Sequence, residues 1–167
     1  SGTGDITYFS DSNILKQYII NSSSATKPSV YNNKSNGNVT HEIISDSTSS
    51  TGYSMKIVTS GTASPGAGGF VNSNTSSAGV FYYHKIVAKV PTGYNLAYAS
   101  NQTGVGYGYY WLTSNAGTGD WATYIYLQYS GYNTPFSSFG HVYLNGTDNT
   151  NVTWYINEST MYRLGTN

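Results

Sequence analysis

Aromatic residues are concentrated in one part of this sequence, between positions 107 and 132. The chain carries 18 tyrosines and 3 tryptophans among its 167 residues. A flat ring can stack on the apolar face of a sugar, and Tyr makes this contact area at a low cost in side-chain entropy. Abundant Asn, Ser and Thr offer uncharged hydrogen-bonding groups for the sugar hydroxyls. The composition therefore favours a neutral or weakly charged glycan as ligand.

The candidate ligand-binding residues lie in strand-like runs of this region. In the run 121–129 we expect Trp121, Ile125 and Leu127 to face the core, and the intervening side chains to point outward. The predicted glycan contacts are Tyr107, Tyr109, Trp111, Trp121, Tyr124, Tyr126, Gln128 and Tyr132. Two alternatives stay open for the same rings. They are ordinary cross-strand packing and a subunit interface, where Tyr and Trp are also enriched.

Residue patterns typical of catalytic sites are weak in this chain. A glycosidase needs two carboxyl groups that flank the scissile bond, whereas only Glu42 among the 7 acidic residues lies in mid-strand between apolar neighbours. No G-x-S-x-G elbow for a nucleophilic serine is present. His41 and His84 each stand alone inside a strand pattern, where packing and hydrogen bonding are the usual roles of a histidine. We therefore predict a protein that is not an enzyme.

Metals, cofactors and two classes of partner are disfavoured by composition and spacing. The chain has no cysteine, which removes thiolate metal ligands and disulfides. No H-x-H or H-E-x-x-H spacing suggests zinc, whereas calcium stays open through backbone carbonyls and single Asp side chains. Charged residues make up 8% of the chain and cancel, so we expect no nucleic-acid partner. Apolar runs fall well short of the ~18 residues of a membrane span, so we expect no membrane partner.

Short runs of β-forming residues, separated by Gly, Asn, Ser and Pro, predict an all-β protein. Period-two alternation predicts strands at 39–44, 53–57, 81–90, 107–112, 121–129, 141–144, 152–156 and 160–164. In the third of these, Lys85 and Lys89 mark the face that meets solvent, and His84 lies on the other face. For residues 14–19 a strand or irregular structure is preferred over a short helix.

This pattern predicts a jelly-roll-like, two-sheet antiparallel β-sandwich of eight or nine strands. Residues 1–5, Ser-Gly-Thr-Gly-Asp, have the composition of a linker or expression remnant. No later segment is rich enough in linker residues to divide the chain. We therefore predict a single β-sandwich domain over residues 6–167.

Several segments together resemble a recurrent domain of bacteriophage tails. They are Val30–Thr40, Gly61–Phe70, Ile86–Tyr94, Trp111–Trp121, Phe136–Gly140 with Tyr143-Leu144, and Val152–Tyr155. Their order and spacing match across roughly residues 28–157. Such domains occur in tail fibres and other tail appendages, and their architecture is similar to the jelly roll of carbohydrate-binding modules.

The resemblance implies a receptor-binding role in the phage virion, outside the cell. Its expected partner is a bacterial cell-surface polysaccharide, and its expected assembly is a homotrimer within a longer fibre. The resemblance supplies no catalytic motif. The alternative is a structural tail-tip or trimerisation domain, whose aromatic residues lie at subunit interfaces.

Overall fold

The computed structural model describes residues 9–32, 37–61, 68–72, 77–101, 108–129, 138–146 and 151–164. These ranges hold eleven β-strands and one 3₁₀ turn at Asp11–Asn13. The strands are β1 Ile14–Ile19, β2 Ser29–Tyr31, β3 Gly37–Ser45, β4 Tyr53–Gly61, β5 Gly69–Val71, β6 Phe81–Lys89, β7 Asn95–Asn101, β8 Gly108–Trp111, β9 Trp121–Tyr129, β10 Ser138–Asn145 and β11 Asn151–Leu164. Over the described ranges, no helix is long and apolar enough to cross a membrane.

The strands form two sheets in which every pair is antiparallel. The larger sheet has seven strands in the order β3-β4-β11-β6-β9-β8, and β1 pairs with β11 beside this path. The smaller sheet has four strands in the order β2-β5-β10-β7. The predicted all-β, two-sheet antiparallel sandwich is confirmed.

The core lies between the two sheets. The larger sheet contributes Ile57, Ile86 and Trp154, all 0% exposed, and the smaller sheet contributes Phe70 and Val142, also 0% exposed. The ring centroids of Phe70 and Trp154 lie 6.1 Å apart across the sandwich. Trp154 is therefore a core residue.

Strand β6 shows the predicted division between its two faces. Its burial alternates along the strand, with Tyr82, His84, Ile86 and Ala88 buried and the residues between them partly or fully exposed. Lys85 and Lys89 lie on the solvent face, as their charge requires. We call this solvent side of the larger sheet the outer face, and the side that meets the smaller sheet the inner face.

Strand β11 runs through a region where two strands were predicted. Its register to β6 shifts between Ile156 and Glu158, which makes Asn157 an extra residue in a β-bulge. Before the bulge β11 pairs with β4, and after it β11 pairs with β1. The bulge keeps the strand continuous while it changes neighbours.

Three strands were not predicted from the sequence. They are β2, β5 and β7, of which the first two have only 3 residues each. Residues 14–19 form β1, so the preference for a strand or irregular structure over a short helix is confirmed. Residues 1–5 lie outside the described ranges, and the single domain over residues 6–167 stays a prediction.

Candidate functional site

Three predicted contact residues on β9 point to the wrong side for a surface site. Tyr124, Tyr126 and Gln128 are 2%, 0% and 1% exposed and face the smaller sheet. The prediction that they point outward is wrong. The reason is the register: Tyr126 pairs with His84 of β6 and Ile125 pairs with Lys85. Cross-strand partners share a face, so the buried face of β6 fixes the buried face of β9.

The polar groups of Tyr124 and Gln128 differ in their hydrogen bonding within the core. The Tyr124 hydroxyl donates to the Ala116 carbonyl oxygen at 3.1 Å, and burial raises the pKa of Tyr124. The amide nitrogen and oxygen of Gln128 have no hydrogen-bond partner among the described residues. A side chain with this little exposed surface has no face on which a sugar can stack.

Tyr126 belongs to a series of hydrogen bonds between buried side chains in the core. Its hydroxyl lies 2.8 Å from Nδ1 of His84, and Nε2 of His84 lies 2.6 Å from Oγ of Ser159. Asn72 Nδ2 donates to the same Ser159 oxygen at 2.9 Å. Full burial lowers the pKa of His84 to about 3. The lone strand histidine is therefore a packed, neutral core residue, as expected.

The remaining aromatic candidates divide between packed and undescribed positions. Trp111 is partly buried and packs against the core, with its ring centroid 5.2 Å from those of Tyr98 and Tyr126. Tyr109 pairs with Gln128 through the backbone of β8, and its side chain is outside the described part. Tyr107 and Tyr132 also lie outside the described residues.

One predicted residue, Trp121, lies on the outer face, although it was expected to face the core. It begins β9 and pairs with Lys89, which in turn pairs with Tyr155 of β11. The row continues through Lys56 to Glu42. Since neighbouring strands lie ~4.8 Å apart, Trp121 and Tyr155 belong to strands separated by roughly 10 Å.

Thr48 holds the Trp121 ring in place from the β3–β4 loop. The indole Nε1–H of Trp121 donates to Oγ1 of Thr48 at 2.9 Å, and Lys89 Nζ donates to the same oxygen at 3.3 Å. The Thr48 hydroxyl donates in turn to Oδ1 of Asp46 at 2.6 Å. This oxygen thus uses its one donor and both acceptor sites, and the ring orientation is fixed before any ligand arrives.

The carboxylate of Asp46 is the last acceptor in this series of hydrogen bonds, and neighbouring donors hold it in place. Partial burial acts to raise the pKa of its carboxyl group, but hydrogen bonds from Thr48 and Ser54 outweigh it and lower the pKa. Ser54 Oγ donates to Oδ2 of Asp46 at 2.8 Å, and the Thr48 backbone N–H donates to Oδ1 at 2.9 Å. The carboxylate therefore stays charged at neutral pH and keeps accepting from Thr48.

The bulge residue Asn157 ties the same loop to the body of the domain. Its Nδ2 donates to Oγ1 of Thr51 at 2.8 Å and to the carbonyl oxygen of Tyr53 at 3.1 Å. Thr51 donates to the carbonyl oxygen of Ile20 at 2.6 Å. Asn157 is 5% exposed, so these hydrogen bonds are largely shielded from solvent and compete little with hydrogen bonds to water.

Two shallow grooves flank Lys89 on the outer face. The Trp121 groove, about 260 Å³, is lined by Thr48, Ser49, Ser50, Val87, Trp121 and Asn157. The Tyr155 groove, about 330 Å³, is lined by Lys89, Pro91, Thr92, Gly119, Thr153 and Tyr155. Both are near or below ~300 Å³, the lower end of pockets that enclose a small molecule. Their ring-and-hydroxyl lining suits contact with part of a long ligand.

Gly119 keeps one wall of the Tyr155 groove close to the sheet. It has φ +82, which glycine adopts without the strain that a side chain brings. Its N–H donates to the Val90 carbonyl oxygen at 2.8 Å, which closes the loop before β9 against the end of β6. Trp121 follows two residues later and lines the Trp121 groove.

Metal-ligating groups do not converge in the described part of the chain. Among its His, Asp and Glu residues, no group of three or more is placed to hold a metal ion. The charged side chains on the outer face are spread along strands instead, with Lys85 and Glu158 paired at 3.4 Å.

The chain is similar in structure to part of a bacterial enzyme. No protein-family model matches it, and no curated protein matches it. Among solved structures it is similar to part of a Clostridium thermocellum chain that holds the CBM22-1 and GH10 modules of endo-1,4-β-D-xylanase 10B, complexed with xylohexaose. Sequence identity is 12%, the TM-score is 0.50, and the match covers 92% of this chain and 28% of that chain.

That likeness shows the fold. The two antiparallel sheets correspond to the jelly-roll-like β-sandwich of a carbohydrate-binding module. The chain spans 28% of the xylanase chain, so the enzyme's activity is a property of that protein. Of the eight predicted contact residues, the structure places Trp121 in a groove and adds Tyr155, which the sequence had not indicated.

Proposed function

We propose that this domain is a non-enzymatic receptor-binding domain of a phage tail fibre or tail protein, and that it binds host-surface polysaccharide through the outer face of its larger sheet. The observation that carries the proposal is the pair of partly exposed rings, Trp121 and Tyr155, each beside its own groove. The carbohydrate-binding-module fold supports the ligand class, and the tail-domain resemblance supports the setting in the virion.

Binding would follow from stacking and hydrogen bonding without a reaction. Sugar rings would lie on Trp121 and Tyr155, while hydroxyl groups of Ser50 and Thr153 serve sugar hydroxyls. The roughly 10 Å between the strands of the two rings favours a chain that lies across the strands. No resident cofactor takes part, and calcium, if bound, would have a structural role.

Several copies of the domain would give firm attachment even if each binding site is weak. A shallow site of this type has a Kd of about 1 mM, or roughly −4 kcal/mol. Display in a homotrimer raises the effective affinity by roughly 10²–10⁴ when several sites reach one surface. Attachment of a virion to a cell is then firm although each contact exchanges rapidly.

The test is binding of fluorescently labelled domain to candidate host cells and to cell walls stripped of polysaccharide. The proposal predicts binding that disappears on stripping, with no release of reducing ends from the purified polysaccharide. Binding that survives stripping would contradict the ligand class, and release of reducing ends would contradict the non-enzymatic role.

An exposed apolar patch favours a second candidate function, a structural tail-tip or trimerisation role. Phe81, Tyr110 and Leu112 are 45%, 64% and 46% exposed on or beside the outer face, near the β8 edge of the larger sheet. Rings in such a patch are enriched at subunit interfaces. Light scattering on Tyr110→Ala separates the two roles: an interface predicts a smaller assembly, whereas a patch free of subunit contacts predicts an unchanged one.

A further inference from the structure

Tyr155 lies between two lysines on the outer face. It pairs with Lys56 of β4 on one side and with Lys89 of β6 on the other. Lys89 Nζ lies 5.4 Å from the centroid of the Tyr155 ring. Directly opposed residues on one face have Cβ atoms ~5 Å apart, so both ammonium groups can reach a ligand on the ring.

Neither lysine has a carboxylate within ion-pair distance in the described part of the chain, although Glu42 is the cross-strand partner of Lys56 and the charge of Asp46 acts on Lys89 at longer range. The ion pair found there joins Lys85 and Glu158, which lie further along the same face. Lys89 donates to the Thr48 hydroxyl, and the lining of the Tyr155 groove includes no Asp or Glu. Because neither ammonium group forms a close ion pair there, both can still pair with an external anion.

The Trp121 groove differs in charge from its neighbour. Its lining is uncharged: hydroxyl groups, one amide, one valine and the indole. Asp46 does not line it; its carboxylate accepts hydrogen bonds from Thr48 and Ser54 and interacts electrostatically with Lys89. The two grooves along one row thus offer a neutral ring contact and a cationic ring contact.

Building on the proposed function, we propose that the Tyr155 groove takes a carboxylate-bearing sugar unit, so that the ligand is an acidic polysaccharide with uronic-acid-type units. The sugar ring would pack on Tyr155, and its carboxylate would accept hydrogen bonds from Lys89 and Lys56. A carboxylate bonded directly to the sugar ring suits this geometry, because cation and aromatic ring are neighbours.

The test begins with an array of bacterial surface polysaccharides, neutral, carboxylated and phosphate-bearing. The proposal predicts that the strongest binders carry carboxylates, and that chemical reduction of those carboxyl groups weakens binding about tenfold or more, as for a charge-assisted hydrogen bond. Equal binding of a neutral or phosphate-only polymer would overturn it. Binding to no polysaccharide would instead overturn the proposed function itself.

Single substitutions assign the effect to the groove. On the strongest binder, Lys89→Gln should weaken binding about tenfold while Lys89→Arg keeps most of it, because the charge is preserved. Lys85→Gln is the matched control, since Lys85 is paired with Glu158 and lies outside both grooves. Equal losses in Lys89→Gln and Lys85→Gln would mean a diffuse charge effect and contradict the site.

Discussion

The two faces of the larger sheet carry aromatic rings in opposite circumstances. On the inner face, Tyr126 is 0% exposed, its ring stacks 4.7 Å from that of Tyr98, and its hydroxyl is paired with His84. On the outer face, Trp121 is only partly buried, and its N–H is held by Thr48 beside a groove. The same residue class is thus packed into the core on one face and partly exposed beside a groove on the other.

The comparison teaches that register, more than local aromatic density, decides the role of a ring. Tyr124 and Tyr126 lie only three and five residues from Trp121 on the same strand. Alternation places the first two against the smaller sheet and the third toward solvent. In the proposed binding mode, preorganisation distinguishes Trp121 from other exposed rings, because an orientation fixed in advance lowers the entropy cost of binding.

The largest expected effect comes from removing an inner ring. Trp154→Ala should lower the free energy of unfolding by about 3–5 kcal/mol, because it leaves a cavity at a fully buried site. Urea denaturation followed by circular dichroism measures the loss. A loss below about 1 kcal/mol would mean that neighbouring side chains fill the cavity readily, and would contradict tight packing of the inner face around Trp154.

A pH series tests whether the inner face holds a neutral histidine. Desolvation lowers the pKa of His84 to about 3, below its value of ~6.5 in the unfolded chain. The unfolded state then binds the proton first, so stability falls as pH drops from about 6.5 toward 3, by up to ~1.4 kcal/mol per pH unit.

The matched control for this series is His84→Gln, whose amide can replace one hydrogen bond without titrating. Between pH 7 and 4.5 its stability should vary less with pH than that of the natural protein. Burial also lowers the pKa of His41 and His141, so a residual slope of the same sign is expected. Identical slopes in both proteins would contradict a neutral, buried His84.

A substitution at the bulge residue Asn157 tests both the stability of the domain and the proposed binding surface. Asn157→Ala should lower the free energy of unfolding by about 1–3 kcal/mol, because it removes the hydrogen bonds that Nδ2 donates to Oγ1 of Thr51 and to the Tyr53 carbonyl oxygen at a site that is 5% exposed. It should also weaken ligand binding, since the loop that carries Thr48 loses its anchor. Asn151→Ala, at an exposed position of the same strand, is the control and should change neither quantity.

The solvent face of a strand could be predicted from the sequence where the strand itself contains charged residues. Lys85 and Lys89 identified the solvent face of β6 correctly, because a charged side chain is rarely buried without a partner. The short strands β2 and β5 carried no such marker. With 3 residues each they are too short for alternation to be visible.

The candidate site was predicted less well, because it depends on pairing between distant segments. Ranking the β9 residues by hydrophobicity gave the wrong face, since Tyr126 is buried by virtue of a partner 42 residues away. The pairing of Lys89 with Trp121 would have corrected it, but register is not visible in a single strand. Tyr155 had a usable signal, because alternation from the core residue Trp154 sends it outward.

The most direct measurement compares two outer-face rings in one titration. Trp121→Ala and Tyr110→Ala are each titrated with soluble fragments of the bound polysaccharide, so that oligomerisation does not contribute. We predict that Trp121→Ala loses binding at least tenfold, while its free energy of unfolding changes by about 1 kcal/mol or less. Tyr110, which is 64% exposed but lines neither groove, should leave the affinity unchanged on substitution. Unchanged binding in folded Trp121→Ala, or an equal loss in Tyr110→Ala, would contradict the grooves beside Lys89 as the binding site.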